Sequence, residues 1–320
     1  MSPPRIVPIT PREPTRRPRY NDCDAPRLLL CIASRSAHRE TTDLEIWRYA
    51  ARVSTVAVPG TPLLPGVTPV ELHVREVGAE VGSGVPLLIL HGGWGYAFYP
   101  FDAQIAALTD RRIVIPDRTG YGRSPHVTSF PRRFHAAAAA EALAFLDGLG
   151  IEKCAIWGHS DGAVIAAWLG IHTPDRVTAV ILEALHLDRT KPGSRAFFEM
   201  MATDPDGFGE RVTRKLAAEH GEAYWRTVLR AGGAVWLDIA ATPDDDLYDH
   251  RLQELRVPTL VLHGADDPRT EPRELDRLRR EVPHAEVHLL AGAGHSPHSE
   301  RGTAQITCEL AISFLARATA

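Results

Sequence analysis

Cysteine is scarce in this chain, and its cysteines follow no known motif. The four are Cys23, Cys31, Cys154 and Cys308 among 320 residues. No two of them have the C-x-x-C spacing of a redox motif or a zinc site. The sequence therefore favours reduced, unpaired thiols, which are usual in the cytoplasm, and we expect a cytoplasmic protein.

Long apolar runs and a large charge of one sign are also missing. The run Leu28 to Ala33 follows Arg16-Arg17 but is soon interrupted by Arg35, so it is too short for an export signal or a membrane span. A formal net charge of -4 gives no electrostatic reason to expect nucleic acid or an anionic membrane as a partner. We expect a small-molecule substrate, and the sequence carries no indication of an oligomeric state.

Histidine is abundant, with 15 residues, but its spacing does not match a metal motif. His284 and His288 are four residues apart, yet they lie in a predicted strand, and Ala285 stands where H-E-x-x-H requires Glu. We therefore expect neither a metal ion nor a cofactor.

Strands and helices alternate from Val70 onwards. Short runs with strand-like periodicity are separated by helical segments such as Arg133 to Leu149, which predicts an α/β fold with a doubly wound, mostly parallel sheet. The predicted strands are Val70 to Val77, Pro86 to Leu90, Arg112 to Pro116, Lys153 to Trp157, Val177 to Leu185, Val257 to Leu262 and Ala285 to Leu290.

One of these strands ends in G-H-S-D-G, where Gly158 and Gly162 flank Ser160 with G-x-S-x-G spacing. A serine on a tight strand-to-helix turn has a strained backbone, and its neighbours two residues away must be small. The helix predicted from Asp161 to Ile171 would direct backbone N–H groups and its dipole towards a developing oxyanion. The pattern indicates Ser160 as a candidate nucleophile.

Three further motifs follow predicted strands: H-G-G-W-G at 91–95, G-A-D-D-P at 264–268 and G-H-S-P-H at 294–298. The first supplies glycines that let backbone N–H groups approach a substrate, the second supplies a candidate acid and the third supplies a candidate base. Parallel strands bring their carboxyl ends to one edge of the sheet, so these motifs are expected to meet at Ser160.

With P-D-R-T-G-Y-G-R-S at 116–124, these motifs make the chain from about Val70 resemble the α/β-hydrolase fold superfamily, in its lid-bearing serine esterase, lactonase and C–C hydrolase group. The resemblance implies Ser160 as nucleophile, His295 as general base and acid, and Asp267 as the acid that orients it. Asp266 is the competing acid; Asp267 is preferred because the family pattern places Asp three residues after Gly264.

The resemblance also implies an oxyanion hole formed by the backbone N–H groups of Gly93 and Asp161. Trp94 either lines the substrate pocket or only packs. We expect an N-terminal Pro/Arg-rich extension over residues 1–65, with a short helix and strand between Asp43 and Val58. The hydrolase core would occupy 66–185 and 251–320, and the helical, aromatic insertion at 186–250 would form a lid.

The function implied is a cofactor-independent serine hydrolase that cleaves an ester, lactone or thioester of a small molecule through an acyl-enzyme. Alternatives within the fold are a C–C hydrolase of vinylogous diketones and a proline iminopeptidase-like peptidase. The peptidase is disfavoured because Trp94 replaces its usual Pro. Acyl transfer to an acceptor other than water, and a ligand-binding or receptor-like protein with weak turnover, also remain open.

Overall fold

The structure, a computed structural model, describes residues 52–78 and 84–319. Most of the predicted extension over residues 1–65 lies outside the described residues, as does most of the short helix expected after Asp43. None of the helices in the described ranges is long and apolar enough to cross a membrane.

Within the described residues, eight strands form one sheet in the order β1-β2-β4-β3-β5-β6-β7-β8. The strands from β4 to β8 in this order are parallel, whereas β2 is antiparallel to both β1 and β4. The predicted fold class is confirmed. The strands are β1 Arg52–Val58, β2 Val70–Val77, β3 Gly84–Leu90, β4 Arg111–Pro116, β5 Cys154–His159, β6 Val177–Glu183, β7 Thr259–Gly264 and β8 Glu286–Leu290.

Helices follow most of the parallel strands, and three of them lie between β6 and β7. They are α1 Asp102–Ala107, α2 Phe134–Gly148, α3 Asp161–His172, α4 Arg195–Thr203, α5 Glu210–His220, α6 Trp225–Ala240, α7 Pro272–Glu281 and α8 Ala304–Ala318. Helices α4 to α6 fall within residues 186–250, the predicted insertion, and we refer to them as the insertion helices.

Most predicted strand bounds shift by one or two residues in the structure, and two differences bear on how the sheet begins and how a strand ends. Strand β1 pairs with β2, with Val56 opposite Leu72, so the sheet begins before residue 66, the predicted start of the core. Strand β6 ends at Glu183 rather than at Leu185, because Ala184 has a φ of 51° that turns the chain out of the sheet.

The core consists of two apolar layers, one on each face of the sheet. Strand β3 illustrates the division, since Leu88 and Leu90 belong to one layer and Leu87 and Ile89 to the other. Alternate residues of a strand point to opposite faces, and both faces of this sheet are covered by helices. Helices α2 and α3 cover one face, and residues of the insertion helices belong to the same apolar layer. Helices α1 and α8 cover the other face.

Candidate active site

The turn between β5 and α3 holds Ser160 in a strained backbone conformation, with φ 56° and ψ −119°. Its flanking glycines leave no room for a side chain. A Cβ on Gly158 would lie 2.1 Å from the carbonyl oxygen of Gly162, and a Cβ on Gly162 would lie 2.0 Å from that of Leu90. The local sequence therefore permits this turn, which presents Ser160 at the carboxyl edge of the sheet.

Ser160, His295 and Asp267 form a continuous hydrogen-bonded chain. The Asp267 carboxylate accepts from His295 Nδ1, which lies 2.9 Å from Oδ2 and 3.0 Å from Oδ1. That arrangement leaves Nε2 of His295 as an acceptor for the Ser160 hydroxyl, 3.0 Å away. The Asp266 side chain is exposed, so the carboxylate that contacts His295 is that of Asp267.

The Asp267 side chain is fully buried among partners that favour its charged form. Burial raises the pKa of Asp267, but the charge and hydrogen bond of His295, the nearby His263 and the N–H of Arg269 outweigh it, so this pKa lies well below its usual range. His263 Nε2 lies 3.5 Å from Asp267 Oδ2, and the Arg269 N–H donates to Oδ1 at 2.9 Å. A charged carboxylate therefore faces His295 and fixes its tautomer.

The loop after β3 approaches the serine turn through two glycines. A Cβ on Gly92 would lie 3.2 Å from Ser160 Cβ, and one on Gly93 would lie 2.7 Å from Asp161 Oδ2. The Arg118 guanidinium supports this loop by donating to the carbonyl oxygens of residues 91 and 92. Asp161 begins α3, so its backbone N–H has no carbonyl partner within the helix. The backbones of Gly93 and Asp161 thus both flank Ser160.

The Asp161 side chain connects the serine turn to two other elements. Its Oδ1 accepts from Nε2 of His135 in α2 and from Nε1 of Trp236 in α6, each at 3.1 Å. Burial raises the pKa of Asp161. The hydrogen bond and charge of His135, the charge of Arg118 and the hydrogen bond of Trp236 lower it by more, so this pKa lies below its ordinary value. The sequence analysis did not anticipate these contacts, which join residues 26 and 75 positions away.

A second polar cluster lies behind His295. His159 Nε2 donates to the backbone oxygen of His295 at 2.9 Å, which fixes the position of that residue. His298 Nδ1 donates to Glu183 Oε1 at 2.7 Å, and its Nε2 lies 3.1 Å from the carbonyl oxygen of Tyr99. Since carboxylate and carbonyl oxygens only accept, both ring nitrogens of His298 face acceptors, and His298 pairs with Glu183 in a buried contact.

This cluster brings metal-ligating residue types together, because ligand atoms of His159, Glu183 and His298 lie within 4.8 Å of one another. A histidine nitrogen that binds a metal must offer a lone pair. Here Nε2 of His159 and both ring nitrogens of His298 face acceptor oxygens of Glu183 and of backbone carbonyl groups. The hydrogen-bonded arrangement therefore does not fit a metal site.

The cavity that contains Ser160 is small and largely aromatic, with a volume of about 30 Å³. Trp94 lines the cavity and stacks on Phe197 of α4, with 5.5 Å between ring centroids. Further lining side chains come from the insertion helices and from the strand ends; they are Phe198, Met201, Val235, Trp236, His186, Arg269 and His295.

His186 is a cavity residue that the sequence analysis did not select. It follows β6 by three residues, so the rule that parallel strands end at the site could have identified it. The other expected residues, Ser160, His295, Asp267, Gly93, Asp161 and Trp94, lie together at this edge of the sheet.

A model of the alpha/beta hydrolase family matches residues 87–306. The chain belongs to this family. Among curated relatives, it is similar to the serine hydrolase BPHL of Mus musculus, with 26% identity over 256 residues that cover 78% of this chain and 85% of the relative. It is also similar to 2-hydroxy-6-oxo-2,4-heptadienoate hydrolase of Pseudomonas putida, with 25% identity over 262 residues that cover 74% of this chain and 89% of the relative.

Solved structures share the fold of this alpha/beta hydrolase. A thermophilic esterase from Thermogutta terrifontis matches with a TM-score of 0.64 and 22% identity, over 83% of this chain and 100% of the esterase. The enol-lactonase from Burkholderia xenovorans LB400 matches with a TM-score of 0.59 and 18% identity, over 77% of this chain and 97% of the lactonase. The chain is therefore a hydrolase by family, and these solved structures share its fold.

Proposed function

We propose that this alpha/beta hydrolase is a serine hydrolase that cleaves a carboxylic ester, lactone or thioester of a small molecule. The observation that carries the proposal is the hydrogen-bonded chain from Asp267 through His295 to Ser160, with distances of 2.9 and 3.0 Å. This chain lies beside the two candidate oxyanion donors, the N–H groups of Gly93 and Asp161. A base, a nucleophile and donors in this relation are what acyl transfer requires.

In the proposed mechanism, His295 Nε2 takes the proton from Ser160 as Oγ attacks the carbonyl carbon. The carbonyl oxygen gains the negative charge, and the N–H groups of Gly93 and Asp161 stabilise it. His295 then gives its proton to the leaving alcohol or thiol, which leaves an acyl-enzyme on Ser160. A water molecule then attacks the acyl carbon while His295 takes one of its protons. His295 gives this proton to the Ser160 oxygen as the acyl C–O bond breaks, which releases the carboxylic acid and restores the free serine.

The insertion helices act as a lid in this proposal. A cavity of about 30 Å³ is small for an acyl substrate. Phe198, Met201 and Trp236 of the insertion form part of its wall. In this proposal these helices move away from Ser160 to admit the substrate, and their return excludes water from the reacting groups.

Labelling with a fluorophosphonate, followed by intact-mass measurement, tests the proposed nucleophile. Wild-type protein and the control Ser313→Ala, at an exposed position in α8, are expected to gain one label. Ser160→Ala is expected to gain none. p-Nitrophenyl esters from acetate to octanoate, assayed in parallel, are expected to give steady turnover with an optimum chain length. Folded wild-type protein that neither reacts nor turns over any ester would contradict the proposal.

A second candidate is hydrolysis of a carbon–carbon bond in a vinylogous diketone. The similarity to the Pseudomonas putida relative favours it, since that protein is named for a 2-hydroxy-6-oxo dienoate substrate. The same active site would serve both reactions. A 2-hydroxy-6-oxo dienoate in the same assay distinguishes them, because this candidate requires a kcat/KM above that for the best ester.

A further inference from the structure

We propose that His186 contacts the substrate and selects esters or lactones that carry a hydroxyl group close to the scissile carbonyl. The inference rests on the proposed function and extends it to a substrate class. It assigns a specificity-determining role to a histidine that takes no part in the proposed proton transfers.

The position of His186 places it at the reacting groups. Its ring lies between that of His295, at 5.7 Å between centroids and nearly parallel, and that of Trp236, at 5.5 Å and nearly perpendicular. The residue is only 3% exposed and lines the cavity that contains Ser160. A substrate bound to Ser160 would therefore lie within reach of the imidazole.

One ring nitrogen of His186, Nδ1, is buried without a hydrogen-bond partner among the described residues. Three other buried imidazoles around the site are engaged, since His135 bonds to Asp161, His159 to the carbonyl of His295 and His298 to Glu183. His263 Nδ1 also lacks a partner among the described residues, but the Nε2 of His263 lies 3.5 Å from Asp267, and His263 does not line the cavity. A buried polar atom without a partner costs free energy, which a suitably placed substrate group would recover.

Trp94 adds a second unused polar atom to the same cavity. Its buried Nε1 also has no hydrogen-bond partner among the residues described. Trp94 and His186 both line the cavity, whose remaining wall is largely apolar. This combination suits a compact, mainly apolar substrate that carries a polar group, rather than a plain fatty acyl ester.

The charge state of His186 indicates which polar group fits. Burial, followed by the charges of Lys191, His295 and Arg269, lowers the pKa of His186 well below its ordinary value, although Asp267 opposes this shift. The neutral ring offers one N–H donor and one lone pair. A hydroxyl group can use either of them, whereas a carboxylate would need a donor and would gain no charge attraction from this ring.

Three esters of similar size test the inference: ethyl butyrate, ethyl 3-hydroxybutyrate and 2-hydroxyethyl butyrate. The last two place the hydroxyl on the acyl side and on the alcohol side. Wild-type kcat/KM for at least one hydroxylated ester is expected to exceed that for ethyl butyrate by about tenfold or more. In His186→Phe, which keeps a ring but loses both nitrogens, this preference is expected to fall below about threefold while ethyl butyrate is still hydrolysed.

The control is His126→Phe. His126 is exposed and stacks on Tyr224 outside the cavity, so the variant is expected to keep the wild-type preference. His186→Asn retains a donor and an acceptor and is expected to keep part of it. If thermal melting shows that His186→Phe is unfolded, His186→Met provides the same comparison.

Two outcomes would overturn the inference alone: wild-type protein that is labelled on Ser160 and active but shows no preference, or a His186→Phe variant that loses activity equally on all three esters. Absence of both labelling and turnover in folded wild-type protein would instead overturn the proposed function, and this inference with it.

Discussion

The indole Nε1 of Trp236 donates a hydrogen bond to Oδ1 of Asp161, the residue next to Ser160, across 3.1 Å. Trp236 belongs to helix α6 of the insertion, and Asp161 is the first residue of α3. The insertion is thus bonded to the serine turn by a buried polar contact. Any movement of α6 away from the cavity must break this bond.

Trp236→Phe removes that donor and keeps an aromatic ring against Phe198, on which Trp236 stacks at 5.1 Å. We expect the free energy of unfolding to fall by about 1–3 kcal/mol beyond the effect of lost volume, because Asp161 keeps its charge but loses a partner. Chemical denaturation measures this change. We also expect faster limited proteolysis within the insertion helices.

Trp225→Phe is the matched control, because Trp225 is buried in the same helix and its Nε1 has no partner among the described residues. Its change in unfolding free energy measures the effect of the smaller side chain without the loss of a hydrogen bond. Equal effects of the two substitutions would show that the bond to Asp161 contributes nothing measurable.

The acid of the proposed triad can be identified by replacing each of the two neighbouring aspartates. Asp267→Asn removes the charge that fixes the His295 tautomer, and we expect kcat to fall by about 10⁴-fold. Asp266→Asn changes an exposed side chain, and we expect kcat to remain within about threefold of wild type. Steady-state assays on one p-nitrophenyl ester are sufficient. A comparable loss in Asp266→Asn would refute the assignment.

The Glu183–His298 pair is expected to make a pH-dependent contribution to stability. Burial raises the pKa of Glu183, but the charge and hydrogen bonds of His298 and the charge of His159 lower it below its ordinary value of 4.5. Breaking a buried pair costs about 3–5 kcal/mol, so Glu183→Gln should unfold at lower denaturant at neutral pH. The unfolded state binds the proton more readily, so the contribution is complete above pH 4.5 and is lost as pH falls below it.

The difference in unfolding free energy between wild type and Glu183→Gln should therefore shrink below pH 4.5. Glu286→Gln is the control, because Glu286 pairs with His288 and Arg317 at a side-chain exposure of 40%. An exposed pair contributes about 0–1 kcal/mol. A difference for Glu183→Gln that stays constant from pH 7 to pH 3 would argue against the buried charged pair.

Gly158, two residues before the proposed nucleophile Ser160, should not tolerate a methyl group. In Gly158→Ala the new Cβ would lie 2.1 Å from the carbonyl oxygen of Gly162, and the backbone on both sides is buried. We expect destabilisation by about 3 kcal/mol or more, measured by denaturation. Gly60→Ala is the control, since its nearest contact would be an ordinary 3.7 Å. Equal melting of the two variants would contradict this account of the turn.

The sequence by itself determined the α/β class, most strand positions and the serine turn. These features depend on local properties: a periodicity of two in strands such as β2, and glycines on both sides of Ser160. The order of Ser160, Asp267 and His295 along the chain also matches the family pattern and supports the resemblance. Strand β1 was less certain, because pairing with β2, rather than its own pattern, brings it into the sheet.

Only the tertiary structure decided how the side chains around the site are partnered. Trp236 bonds to Asp161, and Glu183 to His298, across 75 and 115 positions of sequence. Burial decides which polar groups must find partners and which, like Nδ1 of His186, are left without one among the described residues. The Trp236 contact depends on how the insertion helices pack over the sheet, and the Glu183 contact depends on which strand ends the sheet brings together. A local pattern carries no information about either.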